Sequence, residues 1–312
     1  MRRADQRILT AVLALMLFLL PACAPAPVPD RTRFATPDEA AKALMNALKT
    51  DNAAELKAVF GPNVETDLTS GDPVSDRHDR EVMALAMERS WRWAPAGSDR
   101  QELVIGDEQW PFPVPLAKVS GGWQFDTDAG ADEIISRRIG RNELRVIDVG
   151  RDYVAMQKAY ASQPRDGKVA GLYAQKFRSS PGRQDGLYWR VGPEETPSPL
   201  GDLVAQAVVE GYDENKSSSQ PLWGYYFRIL TAQGAAAKGG ARSYIVNGEL
   251  SGGFGLIAYP AEYGQGGIMT FIVNQDGVVY QKDLGEDTLK AAAGLEAYDP
   301  DGTWAEVKKP QS

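Results

Sequence analysis

Cysteine and histidine are nearly absent from this chain of 312 residues, which contains one of each, Cys23 and His78. A lone cysteine excludes an intramolecular disulfide. A zinc site of the common kind needs several histidine or cysteine ligands, so the sequence predicts no metal and no cofactor. Gly-x-Ser-x-Gly, Walker and dinucleotide-binding motifs are missing too, so we assign no residue a catalytic role.

Positive charge and long apolar runs are scarce as well. The chain has 34 lysines and arginines against 42 aspartates and glutamates, which gives a formal net charge of −8. Nucleic-acid binding needs basic surface to neutralise phosphates, so we predict no nucleic-acid partner. After an apolar run from Ile8 to Leu20, no stretch approaches the roughly 20 apolar residues that span a bilayer.

The N-terminus has the features of a signal for export. Arginines precede the short apolar run, which is the pattern of a secretory signal peptide. The run ends in Leu20-Pro21-Ala22-Cys23, which resembles a bacterial lipobox, where the cysteine is acylated after cleavage. We therefore predict a signal peptide over residues 1–22 and a lipidated Cys23 opening a proline-rich tether over residues 23–33. Ala24 stands where an inner-membrane retention signal has aspartate. By resemblance to bacterial lipoproteins, this favours the periplasmic face of the outer membrane.

Residues 34–138 are predicted to form a first domain of the α+β class, with helices first and a curved antiparallel sheet afterwards. Thr36-Pro37-Asp38-Glu39 is a capping box with proline in the first helical position. Asn52 begins a second helix that stops at Gly61-Pro62. A third helix is predicted over residues 79–91, with apolar positions at Val82, Leu85, Ala86 and Met87. Strands are predicted over 102–107, 113–119 and 123–126, the last two joined at Ser120-Gly121-Gly122.

The opening helices and Gly121-Gly122-Trp123-Gln124-Phe125-Asp126 resemble the nuclear-transport-factor-2-like cone. That fold often hosts a pocket, sometimes a catalytic one. The candidate pocket residues are His78, Trp91, Trp110 and Trp123. One reading makes His78 a general base oriented by Asp76 or Asp79. The other, which we favour, makes His78 a solvated residue at a helix start and the tryptophans ordinary core.

Residues 139–304 are predicted to form a second domain, followed by a tail over 305–312. A helical period covers residues 132–161, and we predict a break near Gly140, which we take as the domain boundary. Leu144, Ile147, Val154 and Ala161 share one face, which should pack on the C-terminal sheet. Arg145 falls on the opposite side, where a charge reversal should be mild.

The stretch over residues 221–284 predicts that C-terminal sheet. Short apolar runs alternate with turn dipeptides, which indicates an antiparallel meander, and Asn274-Gln275-Asp276-Gly277 is its clearest hairpin turn. A long helix on such a sheet resembles the head of type IV pilins and pseudopilins, although a prepilin cleavage site is missing. Two clusters of carboxylates, Asp126 with Asp128 and Asp283 with Glu286 and Asp287, could bind a hard cation or act as an acid pair. Neither has the spacing of a calcium loop, which favours solvated loops.

From residue 36 to residue 304 the chain resembles an uncharacterised bacterial family, the domain of unknown function catalogued as twenty-nine fifty. The stretches that carry this resemblance are Tyr173-Ala174-Gln175-Lys176-Phe177, Gln184-Asp185-Gly186-Leu187-Tyr188-Trp189, Gly224-Tyr225-Tyr226-Phe227-Arg228-Ile229-Leu230 and Val279-Tyr280-Gln281-Lys282-Asp283-Leu284-Gly285. The family implies no activity. We expect a non-enzymatic envelope lipoprotein that binds a protein or glycan partner or supports assembly. The alternative is a small-molecule hydrolase or isomerase that uses a pocket in the first domain.

Overall fold

The computed structural model describes residues 31–62, 69–192, 194–213 and 220–308. The predicted signal peptide, Cys23, most of the tether and the last four residues of the tail lie outside these ranges. Within them, no helix has the length and apolar character needed to cross a membrane.

The architecture is the predicted α+β order, with N-terminal helices, an antiparallel sheet, a long helix and a second antiparallel sheet. The helices are α1 (Pro37–Thr50), α2 (Ala53–Phe60), α3 (Pro73–Arg89), α4 (Thr127–Ala161), α5 (Gly201–Val209) and α6 (Thr288–Ala293). The strands are β1 (Trp91–Pro95), β2 (Arg100–Ile105), β3 (Trp110–Pro111), β4 (Leu116–Val119), β5 (Gly122–Phe125), β6 (Tyr225–Leu230), β7 (Ala232–Gln233), β8 (Arg242–Ser243), β9 (Ile245–Val246), β10 (Glu249–Leu250), β11 (Gly255–Pro260), β12 (Met269–Asn274), β13 (Val279–Asp283) and β14 (Ala305–Glu306).

The first two helices begin where their caps predict. The Thr36 hydroxyl accepts a hydrogen bond from the Glu39 N–H at 3.2 Å, and Pro37 is the first helical residue. The Asn52 side chain accepts from the first turn of α2 in the same way. Unpaired N–H groups at a helix start need such acceptors, so these short polar motifs fix the helix boundaries.

The third helix differs from its prediction. It begins at Pro73 with Asp72 as its cap and ends at Arg89, so Trp91 opens β1, a strand that was not predicted. Val82 and Leu85 are 50% and 62% exposed. The buried face of α3 is instead made by Asp76, Ala84 and Met87. Apolar residue type alone was therefore a poor guide to the face of this helix.

The first sheet has the order β1-β2-β4-β5, with β3 on the side of β2 that also pairs with β4. The predicted hairpin between β4 and β5 is confirmed, and a Cβ at Gly122 would lie 2.4 Å from the Phe34 carbonyl oxygen. Four phenylalanine rings fill the core of this unit, with centroids 5.7–6.3 Å apart. They are Phe34, Phe60, Phe112 and Phe125.

The helix α4 is continuous over 35 residues, so the predicted break near Gly140 is wrong. A glycine inside a helix costs only about 1 kcal/mol relative to alanine. Packing at both ends of α4 outweighs that cost, since Ile134 packs against the first core and Val146 lies in the second. The predicted domain boundary therefore falls within one rigid helix that contributes to both cores.

The predicted face of α4 is only partly correct. Ile147 and Val154 are buried, but Leu144 is 65% exposed. The real stripe includes two polar members that an apolar period cannot reveal. Asn142 donates to the Gly266 carbonyl at 2.9 Å, and the Gln157 amide exchanges two hydrogen bonds with the Ala174 backbone at 2.8 and 2.9 Å. Buried amides are tolerated here because their hydrogen bonds are satisfied.

The second sheet is the predicted antiparallel meander, with the order β14-β13-β12-β11-β6. The hairpin between β12 and β13 turns at the predicted residues, and the Gly277 N–H donates to the Asn274 carbonyl at 2.9 Å. One face of the sheet packs against α4, and α6 and Tyr298 cover the other. The strand β6 forms one edge.

Buried polar contacts join the two units. Asp72 is 1% exposed and caps α3 with one carboxylate oxygen. Its other oxygen accepts from the Tyr212 hydroxyl at 2.6 Å and from the Gly224 N–H at 3.1 Å. A single carboxylate thus links a helix of the first unit to the chain that enters β6.

Candidate functional site

The predicted pocket around His78 does not have the geometry of a general base. His78 lies half-buried in α3. Asp76 accepts two hydrogen bonds from the Ser70 N–H at 3.0 and 3.2 Å, and Asp79 is paired with Arg141. Neither carboxylate orients the imidazole.

The three tryptophans do not surround one cavity. Trp91 and Trp110 pair with Ile105 from opposite sides of β2. Trp91 packs on the first core, whereas Trp110 is 37% exposed beneath the Arg137 guanidinium, 5.1 Å from its ring centroid. Trp123 lies on β5 and pairs with Lys118. The phenylalanine cluster occupies the interior between helices and sheet.

The carboxylate groups considered for a cation are engaged elsewhere. Asp126 caps α4 and pairs with Arg100 at 3.0 Å, and Asp128 pairs with Arg31 at 2.9 Å. Asp283 accepts from the Gly285 N–H at 2.8 Å. Among the described residues, no group of three or more histidine, cysteine or acidic side chains has the geometry of a metal site.

Two neighbouring cavities lie instead beside the C-terminal half of α4. One, the polar pocket, has a volume of about 340 Å³. The other, the apolar groove, has a volume of about 680 Å³. Gln175 and Lys176 line both, so the cavities share a wall. Both volumes fall in the range of roughly 300–1,000 Å³ that is typical of ligand sites.

The polar pocket is lined by charges that neutralise one another in pairs. Its walls are Tyr160, Gln163, Arg165, Asp166, Lys168, Val169, Leu172, Tyr173, Gln175, Lys176, Arg183, Asp185 and Glu249. Lys168 pairs with Glu249 at 2.7 Å, and Arg183 with Asp166 at 3.4 Å. Arg165 is held between the rings of Tyr160 and Trp189, 5.1 and 4.7 Å from their centroids. Such a surface offers many fixed donors and acceptors.

One cluster at the edge of this pocket has the composition of a serine–lysine catalytic dyad, with Lys176 and Asp185 in the lining and Ser180 beside them. The Lys176 ammonium is 2.8 Å from the Ser180 hydroxyl and 2.8 Å from the Asp185 carboxylate. Burial alone would raise the pKa of Asp185, but hydrogen bonds from Lys176 and from the Ser180 N–H and hydroxyl lower it to about 2. In this arrangement the Lys176 side chain donates to the Ser180 hydroxyl and is held by the Asp185 carboxylate, so the cluster is a fixed network of hydrogen bonds and an ion pair.

The apolar groove runs between α4, α5 and the edge of the second sheet. Its apolar walls are Val149, Tyr153, Met156, Phe177, Leu200, Leu203, Val204, Ala207, Val208, Leu222, Phe227, Ile229 and Leu256. The Tyr153 hydroxyl is fixed by donating to the Gly255 carbonyl at 3.1 Å, and Arg178 adds a positive charge to the lining. An apolar wall with a few polar groups is the usual composition of a binding site.

Neither cavity was predicted as a site. Their walls are formed by loops and helices that are distant in the sequence, so no motif with a fixed residue spacing could reveal them. One feature of the sequence could have pointed here, because the stretches that carry the family resemblance supply residues to both linings. Tyr173–Phe177 and Gln184–Trp189 contribute Lys176 and Asp185 to the polar pocket, and Gly224–Leu230 contributes Phe227 and Ile229 to the groove.

Comparison with known protein families matches residues 31–307 to the family described as "Protein of unknown function (DUF2950)". The chain belongs to this family, as the resemblance of its sequence predicted. No curated protein and no solved structure matches it. The likenesses to the nuclear-transport-factor-2-like cone and to the pilin head therefore stay predictions.

Proposed function

We propose that this member of the DUF2950 family is a non-enzymatic, lipid-anchored binding module of the bacterial cell envelope. Its ligand is a protein or glycan partner that enters the polar pocket and the apolar groove. The observation that carries the proposal is the wall shared by the two cavities at Gln175 and Lys176. A charged pocket continuous with an apolar groove fits a ligand that is polar at one end and apolar at the other.

The chemistry of the cavities favours binding over catalysis. Lys176 donates to the Ser180 hydroxyl and is paired with Asp185, so the geometry holds it as a donor and not as the base that a Ser180 nucleophile would need. His78 lines neither cavity and has no orienting carboxylate. The alternative, a hydrolase or isomerase in the first unit, is less favoured because four phenylalanines fill that interior.

The envelope location rests on the leader and the lipobox-like Cys23. We expect intact-mass analysis of membrane-extracted protein to show loss of residues 1–22 and a lipid on Cys23. A Cys23→Ser variant should leave the membrane fraction. Unchanged membrane fractionation of that variant would contradict the anchor without affecting the cavities.

The binding role is tested by a photo-crosslinking amino acid placed at Gln175 in the native bacterium. Gln175 is exposed and lines both cavities. Lys290, which is exposed on α6, is the matched control. We expect adducts at position 175 that are missing at position 290, and mass spectrometry would identify them. Identical adduct patterns at the two positions, or none at position 175, would refute a ligand in these cavities.

A further inference from the structure

The edge strand β6 has an open stretch inside the apolar groove. In an antiparallel pair, alternate residues direct both backbone groups toward the same neighbour. The Ala261 N–H donates to the Gly224 carbonyl at 2.9 Å on the side of β11. By alternation, Tyr226 and Arg228 also face β11. Phe227 and Ile229 therefore direct their N–H and C=O groups away from the sheet.

The outward groups on either side of this stretch are paired. Tyr225 exchanges two backbone hydrogen bonds with Leu222 at 2.8 and 3.1 Å, and the Thr231 carbonyl accepts from the Tyr244 N–H at 2.7 Å. Between these positions, the backbone groups of Phe227 and Ile229 have no partner among the described residues. The outer edge of β6 therefore has one short stretch of unpaired backbone groups, with paired residues on both sides of it.

The surroundings of this unpaired stretch suit an added strand. The side chains of Phe227 and Ile229 pack toward the core beneath the groove, and Leu203, Val204 and Met156 line it from the helices. An apolar sheet edge pairs readily with another strand unless something covers it. Main-chain hydrogen bonds to such an edge, with alternate side chains in pockets, are a recurrent mode of peptide recognition.

The charges that line the groove indicate one further property of the ligand. Arg178 lines the groove, and its guanidinium lies 4.9 Å from the centroid of the Tyr188 ring. No carboxylate among the described residues forms an ion pair with Arg178. The other two cations of the lining are engaged, because Lys176 is paired with Asp185 and Arg228 donates to the Ala292 and Leu295 carbonyls at 2.7 and 2.8 Å. A carboxylate on the ligand would therefore find its partner at Arg178.

We propose that the apolar groove binds an extended peptide segment, which adds to the outer edge of β6 at Phe227 and Ile229. The segment carries apolar side chains at alternate positions and an acidic side chain or C-terminal carboxylate that meets Arg178. This inference rests on the proposed function and names the class of its ligand. The backbone of the peptide supplies the partners that Phe227 and Ile229 lack, and its side chains fill the groove.

The probe is a displayed library of random seven-residue peptides, selected on the full chain and counter-selected on Ile229→Pro. Proline removes the outward N–H of Ile229, which the ladder with β11 does not use, and an edge strand tolerates it there. The matched control is Ile229→Ala, which shortens the side chain but keeps the N–H. We expect enriched peptides with alternate apolar residues and an acidic residue. By fluorescence anisotropy, their affinity for Ile229→Pro should be about tenfold lower than for Ile229→Ala.

A second measurement does not depend on the folding of a variant. The selected peptide, N-methylated at the residues that bond to β6, should bind the unmodified protein about tenfold more weakly. Arg178→Glu should weaken binding by a similar factor, and Lys290→Glu should leave it unchanged. Failure to enrich any peptide, or undiminished binding after N-methylation, would overturn the inference. A glycan or lipid adduct at position 175 would also overturn it, while the proposed binding role would stand.

Discussion

The Arg145 guanidinium lies 4.3 Å from the centroid of the Trp223 ring, and both side chains bind the carboxylate of Glu210. The Glu210 side chain is 9% exposed. This trio joins α4 to the end of α5 and to the chain that enters β6. The helical period placed Arg145 on the solvent side of α4, whereas the structure pairs it with a nearly buried carboxylate. We therefore no longer expect a charge reversal there to be mild.

We expect Arg145→Asp to lower the free energy of unfolding by about 3 kcal/mol, since it sets a second carboxylate against the nearly buried Glu210. Urea unfolding followed by tryptophan fluorescence would measure the loss. Lys158→Asp is the control, a charge reversal at an exposed site on the same helix, and should cost less than about 1 kcal/mol. Equal losses would mean that the Arg145–Glu210 pair adds nothing.

Two glycines of α4 should respond in opposite directions to alanine. A Cβ at Gly140 would meet nothing within 4 Å, so Gly140→Ala should stabilise the protein by about 1 kcal/mol. A Cβ at Gly130 would lie 2.6 Å from the Val114 Cα and 2.8 Å from the Pro113 carbonyl oxygen. Backbone cannot move aside cheaply, so Gly130→Ala should destabilise by about 1–3 kcal/mol. Thermal unfolding of both variants provides the test, and a stabilised Gly130→Ala would show that α4 does not approach this loop so closely.

Asp72 should matter more than an ordinary helix cap. Asn52→Ala removes a cap and one exposed hydrogen bond to Glu55, and should cost about 1 kcal/mol. Asp72→Ala removes a cap and also leaves the Tyr212 hydroxyl and the Gly224 N–H without their acceptor. Each buried group left unpaired costs about 1–3 kcal/mol, so the total loss should be about 3 kcal/mol or more. Chemical denaturation compares the two, and similar losses would show that the contact between the units contributes nothing.

The Asp185 cluster gives the stability a defined pH dependence. The pKa of Asp185 falls from an ordinary 3.8 to about 2 in the folded protein. Its stabilising contribution is therefore complete above about pH 5 and is lost as the pH falls toward 2. The stability difference between the native chain and Asp185→Asn, measured at pH 6, 4, 3 and 2, should shrink toward zero across that window. Lys176→Met should move the window upward, and a constant difference at all four values would contradict the depressed pKa.

Those features that depend on a few neighbouring residues were predictable from the sequence. The caps at Thr36 and Asn52, and the turn at Asn274-Gln275-Asp276-Gly277, satisfy backbone groups locally, so their residue types determine their structure. Asp72-Pro73 follows the same rule as Thr36-Pro37 and could have given the start of α3. The prediction instead began α3 within the charged run that follows, at Asp79, which is six residues after the observed start.

Features that depend on distant partners were not predictable. Asn142 and Gln157 can be buried in α4 because backbone groups elsewhere in the chain form hydrogen bonds with their side chains. Since both residues are polar, a search for apolar positions could not assign them to the buried face. The cavities were even harder to predict from the sequence, because the segment over residues 163–189 has no periodic pattern of apolar residues. Its side chains acquire a common site only when the loops fold over α4. Only the family resemblance drew attention to that segment.

The length of α4 determines how far the polar pocket lies from the N-terminal tether. Asp128, in its first turn, pairs with Arg31, near the beginning of the described chain, whereas Tyr160, in its last turn, lines the polar pocket. At 1.5 Å per residue these two turns are roughly 50 Å apart. Arg31, which follows the predicted lipid attachment at Cys23 by eight residues, and the polar pocket therefore lie near opposite ends of α4. For a protein held by a lipid on Cys23, we expect the site that meets the partner to be about 50 Å from the point where the described chain joins the tether.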